Sequence, residues 1–293
     1  MTLKSCLKSM RLRTLPLSLS GTVVGIAMAS ATCTPEAGTV ITLVATTILL
    51  QILSNLSNEL GDTLHGTDTA DRQGIRYSIM DGEMTVAQMK RLITAVAISC
   101  CISGTAMILF SFRTLLAAEP LLFILLGAAA IWAAMHYTLG KNPYGYRGLG
   151  DIFVFIFFGL VSTLGASYIC SHTLSPLWSL PACGIGFFSV GVLNVNNIRY
   201  MKTDAATRTT MALRLGAHRA RIYHTVLIAS GWAAMLSYSA LTATSLCDWL
   251  YAATLPLFVL HLRGVWTRSD RSLDPMLPLL VMSTFALALL FLI

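Results

Sequence analysis

The sequence predicts an all-α, polytopic membrane protein, a bundle of nine transmembrane helices around a central cavity. Three observations predict it. Of 293 residues, 55% are hydrophobic and only 11% charged, against roughly 25% charged in an average soluble domain. Nine apolar stretches approach the ~20 residues that a hydrocarbon core demands. The basic residues sit between those stretches, where topogenic charge belongs. Irregular backbone cannot face lipid, so the stretches are read as helices.

The first span is expected at about 15–33, after Lys4, Lys8, Arg11 and Arg13. That beginning resembles a secretory signal, but the apolar run reaches Cys33 without a cleavage site and more spans follow, so it reads as a retained helix. The others are expected at 38–58, 92–112, 117–138, 150–170, 177–197, 222–243, 247–262 and 275–293, the eighth being the shortest. Together they make one membrane domain over 1–293, with two related four-helix halves at about 15–138 and 150–262.

Of the 20 Lys and Arg residues, Arg113 alone lies outside the N-terminus and the loops after spans 2, 4, 6 and 8. The positive-inside rule therefore puts those loops and the N-terminus in the cytoplasm and the C-terminus on the other side of what is expected to be a prokaryotic inner membrane. The formal charge of +7 is topological, and nucleic acid is not an expected partner. The seven cysteines show no CxxC spacing and read as apolar filler.

The same loops carry all the acidic residues except Glu36, Glu119 and Asp248. Topology does not need them, because carboxylates contribute little to orientation. In NLSNELGDTLHGTDTADR (55–72), Asn55, Asn58, Glu59 and Asp62 stand at i, i+3, i+4 and i+7, so a helix continuing this far lines them on one face. Asp68 and Asp71 follow. After span 6, VLNVNNIRYMKTDAATR places Asn194, Asn197 and Asp204 at helical spacing beside Asn196 and Arg199. Between the two clusters, HYTLGKNPYGYRGLGD leads to Asp151 at the start of span 5. Carboxylates and amides facing each other across a cavity, with Arg and Lys interspersed, suit a diphosphate held through Mg²⁺. A membrane bundle is a natural container for an attached hydrocarbon, and phenylalanines of span 5 would help exclude water from a cationic centre. An ion or solute transporter with intramembrane carboxylates is the rival reading, but a path needs polar groups at midplane and on the far side.

RLRTLPLSLSGTVVG, the 55–72 stretch, NPYGYRGLGDIFVFIFFG and LNVNNIRYMKTDAATRTTMALRLG together resemble the UbiA superfamily of intramembrane prenyltransferases, most closely the branch that acts on 1,4-dihydroxy-2-naphthoate. The resemblance implies a nine-helix bundle, two Mg²⁺ ions, a polyprenyl diphosphate donor and an aromatic acceptor that loses CO₂ when prenylated, giving demethylmenaquinone; the same chemistry on another aromatic acceptor is the alternative within the family. It puts the metal ligands at Asn58, Glu59, Asp62, Asp68, Asn197 and Asp204, with Glu59 standing where Asp is usual. Tyr200 replaces the first Asp of the second motif, and a phenol with pKa near 10 is a poor Mg²⁺ ligand. Arg72, Arg199, Lys202 and Arg208 are expected on the diphosphate, and Asn55, Tyr137, Tyr146 and Arg147 around the substrates. Asp62, Asp204 and Asp151 are the expected catalytic carboxylates. Asp151 either caps span 5 or orients an acceptor hydroxyl.

Overall fold

The computed structural model describes residues 2–67 and 77–293. Among the described residues the chain is helical, and its only β feature is an isolated backbone bridge between Arg147 and Thr209. A short amphipathic helix, α1 (Leu3–Met10), comes first, its N-terminus closed by a capping box from Thr2. The span reading had placed no helix there, although Leu3, Cys6, Leu7 and Met10 already carry the i, i+3, i+4, i+7 signal.

The membrane helices are α2 (Leu15–Ser30), α3 (Ala37–Leu64), α4 (Val86–Phe112), α5 (Ala118–His136), α6 (Gly150–Ser171), α7 (Ser179–Arg199), α8 (Ala217–Thr242), α9 (Leu255–Thr267) and α10 (Met276–Phe291). Among the described residues eight helical stretches are long and apolar enough to cross, α2 being counted together with α1 and α10 with the turn that precedes it. The expected eighth span differs. It is split into a 3₁₀ stretch, Cys247–Thr254, and the 13-residue α9, whose first turn holds Pro256. Proline lacks the N–H that would continue an α-helical ladder backwards, so a tighter winding precedes it. The two pieces reach up to roughly 35 Å at 2.0 and 1.5 Å per residue, enough for a crossing.

Packing divides the bundle around α2. On one side α3 packs on α4 and α5; on the other α7 packs on α6, α8 and α10, while α2 touches α3, α6 and α10. Each side has its own core, one around Leu53, Leu56, Met89 and Ile93, the other around Ile185, Phe188, Trp232, Tyr251 and Phe258. Lipid is as apolar as these side chains, so close fit holds the helices together more than apolar transfer does. Gly21 and Gly25 of α2 illustrate it: a Cβ at Gly21 would meet Ser162 and the Phe158 carbonyl, and one at Gly25 would meet the Thr163 carbonyl and Ala166. This small-xxx-small face lets α2 lie directly on α6. Within α6 the residues Phe155–Val161 wind as a π-helix, a departure that recurs at functional sites. Phe153, Phe157 and Phe158 turn to the space between the two sides, while Phe155 packs on Phe187 of α7.

Candidate functional site

That space is a cavity of about 380 Å³ lined by α2, α3, α5, α6 and α7. Its polar end lies where α3 and α7 finish, and its other end is apolar. On α3 the lining follows the helical period: Asn55, Asn58 and Asp62 face it. Asn55 is fixed at the back of this row, its amide donating to the Met10 carbonyl at 2.8 Å and to Thr14 Oγ1 at 2.9 Å. Asn58 Oδ1 accepts from Thr138 Oγ1 at 3.3 Å. Tyr146 donates to Asp62 Oδ1 at 2.7 Å and stands 3.0 Å from Thr67 Oγ1, so the loop after α5 holds the end of α3. Burial, with the Asp62 charge beside it, raises the Tyr146 phenol above its ordinary range, which keeps it a donor.

From the other side come Asn196 and Asn197 of α7 and Arg208 of the loop beyond it. Arg208 joins the two clusters. Its guanidinium donates to Asp204 Oδ1 at 2.7 Å, lies 3.9 Å from Asp62 Oδ1, and its Cζ sits 5.7 Å from the Tyr146 ring centroid. Asp204 is buried on the short turn Met201–Asp204, and its Oδ2 has no hydrogen-bond partner among the described residues. A buried carboxylate oxygen in that condition is costly unless a ligand completes it. Loops are stitched together above: the Thr209 amide donates to the Tyr146 carbonyl at 2.9 Å, and Arg214 donates to the Arg147 carbonyl at 3.0 Å.

A small recess beside the polar end is lined by Tyr137, Asp151, Asn197 and Arg208. Asp151 accepts there from Tyr223 of α8 at 2.9 Å. Burial pushes the Tyr137 phenol up to about 12.

Four expected positions lie elsewhere. Glu59 is buried on a flank of α3 outside the cavity, accepting from the Ile79 amide at 3.0 Å. It follows Asn58 by one residue, about 100° around the helix, and that turn carries it past the cavity rim. Arg199 pairs with Asp274 and stacks on Tyr200 at 4.5 Å, and exposed Lys202 pairs with Asp270 at 2.9 Å. Both are drawn outward by the loop before α10 instead of facing the cavity. The Arg147 side chain is exposed, and its contribution is through its backbone. Asn194 also turns away, its amide tying α7 to the Ala220 carbonyl of α8. Asp68 and Arg72 lie outside the described residues.

Two features were missed. Arg11, one of the basic residues ahead of the first expected span, reaches the cavity lining from a left-handed backbone with φ 50°, its guanidinium 3.7 Å above the Tyr77 ring. Such a backbone is uncommon outside glycine and tends to mark functional positions. His224 and His261, 37 residues apart in the chain, meet with Nε2 atoms 2.8 Å apart inside the second core. Nothing in their sequence spacing announces either contact. Among the described residues no three His, Cys, Asp or Glu side chains group closely enough to hold a metal ion by themselves.

A cationic and amide-rich mouth on an apolar cavity within membrane helices defines a class of protein, one that holds an amphiphile by a polyanionic head. Residues 18–290 match the UbiA prenyltransferase family, and the chain belongs to it. It is 37% identical over 287 residues to the 1,4-dihydroxy-2-naphthoate octaprenyltransferase of Escherichia coli, covering 97% of this chain and 92% of that one. The protein of the same name from Mycobacterium leprae is 31% identical over 92% of this chain and 87% of its own. Among solved structures, the apo structure of a UbiA homologue from Aeropyrum pernix superposes with a TM-score of 0.72 over 96% of this chain and 97% of that one; at 15% identity this likeness establishes the fold alone.

Proposed function

We propose that the protein transfers a polyprenyl group from polyprenyl diphosphate to 1,4-dihydroxy-2-naphthoate, with release of diphosphate and CO₂, as the names of its relatives suggest. The observation that carries this reading is Arg208, which joins Asp62 and Asp204 at the mouth of an apolar cavity. In the transfer, the allylic C–O bond breaks with its electron pair on the diphosphate, the ring carbon of the acceptor that bears the carboxylate forms the new C–C bond, and the bond to the carboxylate then breaks, releasing CO₂ and returning its electron pair to the ring. Arg208 and Arg11 hold the departing charge by charge-assisted hydrogen bonds. Phe153, Phe157 and Phe158 keep water from the allylic cation and offer it their ring faces. The acceptor is placed at the polar end of the cavity, with Asp151 in the small recess beside it. There the carboxylate, oriented by Tyr223, takes a hydrogen bond or proton from a ring hydroxyl, and Tyr137 remains a neutral donor.

Mg²⁺ is commonly held by one or two carboxylates with substrate phosphates and water. Asp62 and Asp204, assisted by Asn58 and Asn197, are the residues that would hold one such ion, and the buried Asp204 Oδ2, without a hydrogen-bond partner among the described residues, supports Asp204 as a ligand. When bound, the ion would neutralise diphosphate charge. The second of the two ions that the resemblance implies would depend on Asp68, because Glu59 is turned away. The polar mouth, with the N-terminus and the basic loops, is assigned to the cytoplasmic face of an inner membrane. A transporter reading finds less support, since the far end of the cavity is apolar.

The test is a mass spectrum of the products from purified protein, Mg²⁺, octaprenyl diphosphate and a choice of acceptors. A prenylated dihydroxynaphthalene that has lost CO₂ is expected. Product from a hydroxybenzoate alone would move the protein to another acceptor, and no product with any divalent cation would overturn the reading.

A further inference from the structure

The polar row on α3 begins further back than a diphosphate site requires. Gln51, Asn55, Asn58 and Asp62 stand at i, i+4, i+7 and i+11 and all line the cavity, but Asn55 lies about 10 Å and Gln51 about 16 Å behind Asp62 along the helix. Neither amide has a hydrogen left for a substrate. Asn55 Nδ2 donates to the Met10 carbonyl at 2.8 Å and to Thr14 Oγ1 at 2.9 Å. Gln51 Nε2 donates to Asn55 Oδ1 at 3.1 Å and to Thr14 Oγ1 at 3.2 Å. The Thr14 hydroxyl, its lone pairs taken by the two amides, donates to the Arg11 carbonyl at 3.0 Å, which also accepts from the Thr14 amide at 2.9 Å. Each N–H and O–H in this network has one possible direction, so the network has a single arrangement.

Its end point is Arg11. Asn55 grips the carbonyl before Arg11, and Thr14 grips the carbonyl of Arg11 itself. Between these two holds the backbone of Arg11 is left-handed, which closes α1 and turns the chain toward α2. Glycine or asparagine usually occupies such a helix end, because a Cβ is crowded there. Of the four described non-glycine residues with positive φ, Arg11, Arg113, His172 and Asp270, Arg11 is the one that lines the cavity. Its guanidinium lies over the Tyr77 ring, whose hydroxyl accepts from Arg13 at 3.2 Å, and its buried Nε has no hydrogen-bond partner among the described residues. A guanidinium meets an aromatic ring through its face and phosphate oxygens along its edge, so the two contacts do not compete.

We infer that Asn55, with Gln51 and Thr14, is a positioning group for the diphosphate site: it holds the turn that aims the Arg11 guanidinium at the donor's diphosphate and does not touch the substrates itself. This rests on the prenyl-transfer reading, in which Arg11 takes part of the departing charge. The contribution of Asn55 therefore depends on the Arg11 side chain. Once the guanidinium is gone, the direction of its backbone has nothing to act on. A residue in contact with substrate, or one that only held α3 against the N-terminal segment, would show no such dependence.

The experiment is a double-mutant cycle on the full chain, reading the binding of inorganic pyrophosphate with Mg²⁺ present and the KM values for donor and acceptor in the wild type, Arg11→Ala, Asn55→Ala and the double variant. Arg11→Ala is expected to weaken pyrophosphate binding by about tenfold or more, the scale of a charge-assisted hydrogen bond. Asn55→Ala is expected to weaken it by about fivefold and to raise the donor KM in step, with the acceptor KM within about twofold of the wild type. The double variant is expected to bind as Arg11→Ala does, within about twofold. Thr14→Val removes the hydroxyl and is expected to repeat the Asn55→Ala result, while Thr14→Ser keeps the hydroxyl and recovers the binding; this pair decides the matter if Asn55→Ala does not fold. Losses that multiply in the double variant, a raised acceptor KM in Asn55→Ala, or unchanged binding in Arg11→Ala would overturn the positioning role. A wild type that binds pyrophosphate but transfers no prenyl group would instead overturn the prenyl-transfer reading beneath it, and the cycle would still be decided by binding.

Discussion

The two polar clusters begin as similar sequence and end as different structure. On α3 one unbroken helix carries Asn55, Asn58 and Asp62 to the cavity, and Tyr146 fixes the last of them. On the other side α7 stops at Arg199. Asn196 and Asn197 face the cavity from its last turn, but the carboxylate comes from a separate four-residue turn and reaches the site through Arg208. Tyr200 stands at the break. The difference teaches that the α3 cluster is the rigid anchor, and that its counterpart acts through an arginine and amides held by loops.

The strongest way to break this comparison is at its two carboxylates. Asp62→Ala is expected to lower prenyl transfer by about 10³-fold or more, the scale of losing a preorganised group that stabilises developing charge, while Asp204→Ala costs less. Equal kcat/KM values for the two variants would remove the asymmetry. Arg208→Ala is expected next, about 10²-fold, with a raised KM for the donor. It also leaves Asp204 buried and uncompensated, a loss of about 3 kcal/mol in unfolding experiments. Arg208→Lys should recover part of the activity.

Tyr146→Phe sharpens the anchor. Losing one hydrogen bond to a carboxylate costs about 1.5–3 kcal/mol, so a fall of about tenfold in kcat/KM is expected. Because the folded phenol's pKa is raised, its stabilising contribution is complete below the unfolded value of about 10 and is lost as pH rises through the higher folded value. Stability profiles of wild type and Tyr146→Phe should therefore run parallel from pH 7 to 9 and converge only above that range. Lys202→Ala, at an exposed pair with Asp270, should change activity less than about twofold; a large loss would mean that Lys202 swings inward on the substrate.

What the sequence could convey follows the same division. Helices longer than four turns with strict apolar runs, such as α3 and α7, were legible, and so was the row Asn55, Asn58, Asp62, because a 3.6-residue period writes a face directly into spacing. Glu59 was read one step too generously from that period. The split before α9 followed from Pro256, which length alone does not weigh. Arg208 between two carboxylates, Tyr146 on Asp62 and the outward pairing of Arg199 and Lys202 depend on how loops meet across the bundle, and local pattern carries no record of that.

Binding of Mn²⁺ in the presence of inorganic pyrophosphate, followed by titration of the wild type, Asp62→Ala, Asp204→Ala and Tyr200→Asp, tests the central claim most directly. An anchor at α3 predicts that Asp62→Ala weakens binding by well over tenfold, about 1.4 kcal/mol for each factor of ten, that Asp204→Ala weakens it less, and that Tyr200→Asp tightens it. Loss of binding in Asp204→Ala with Asp62→Ala near the wild type would contradict the account.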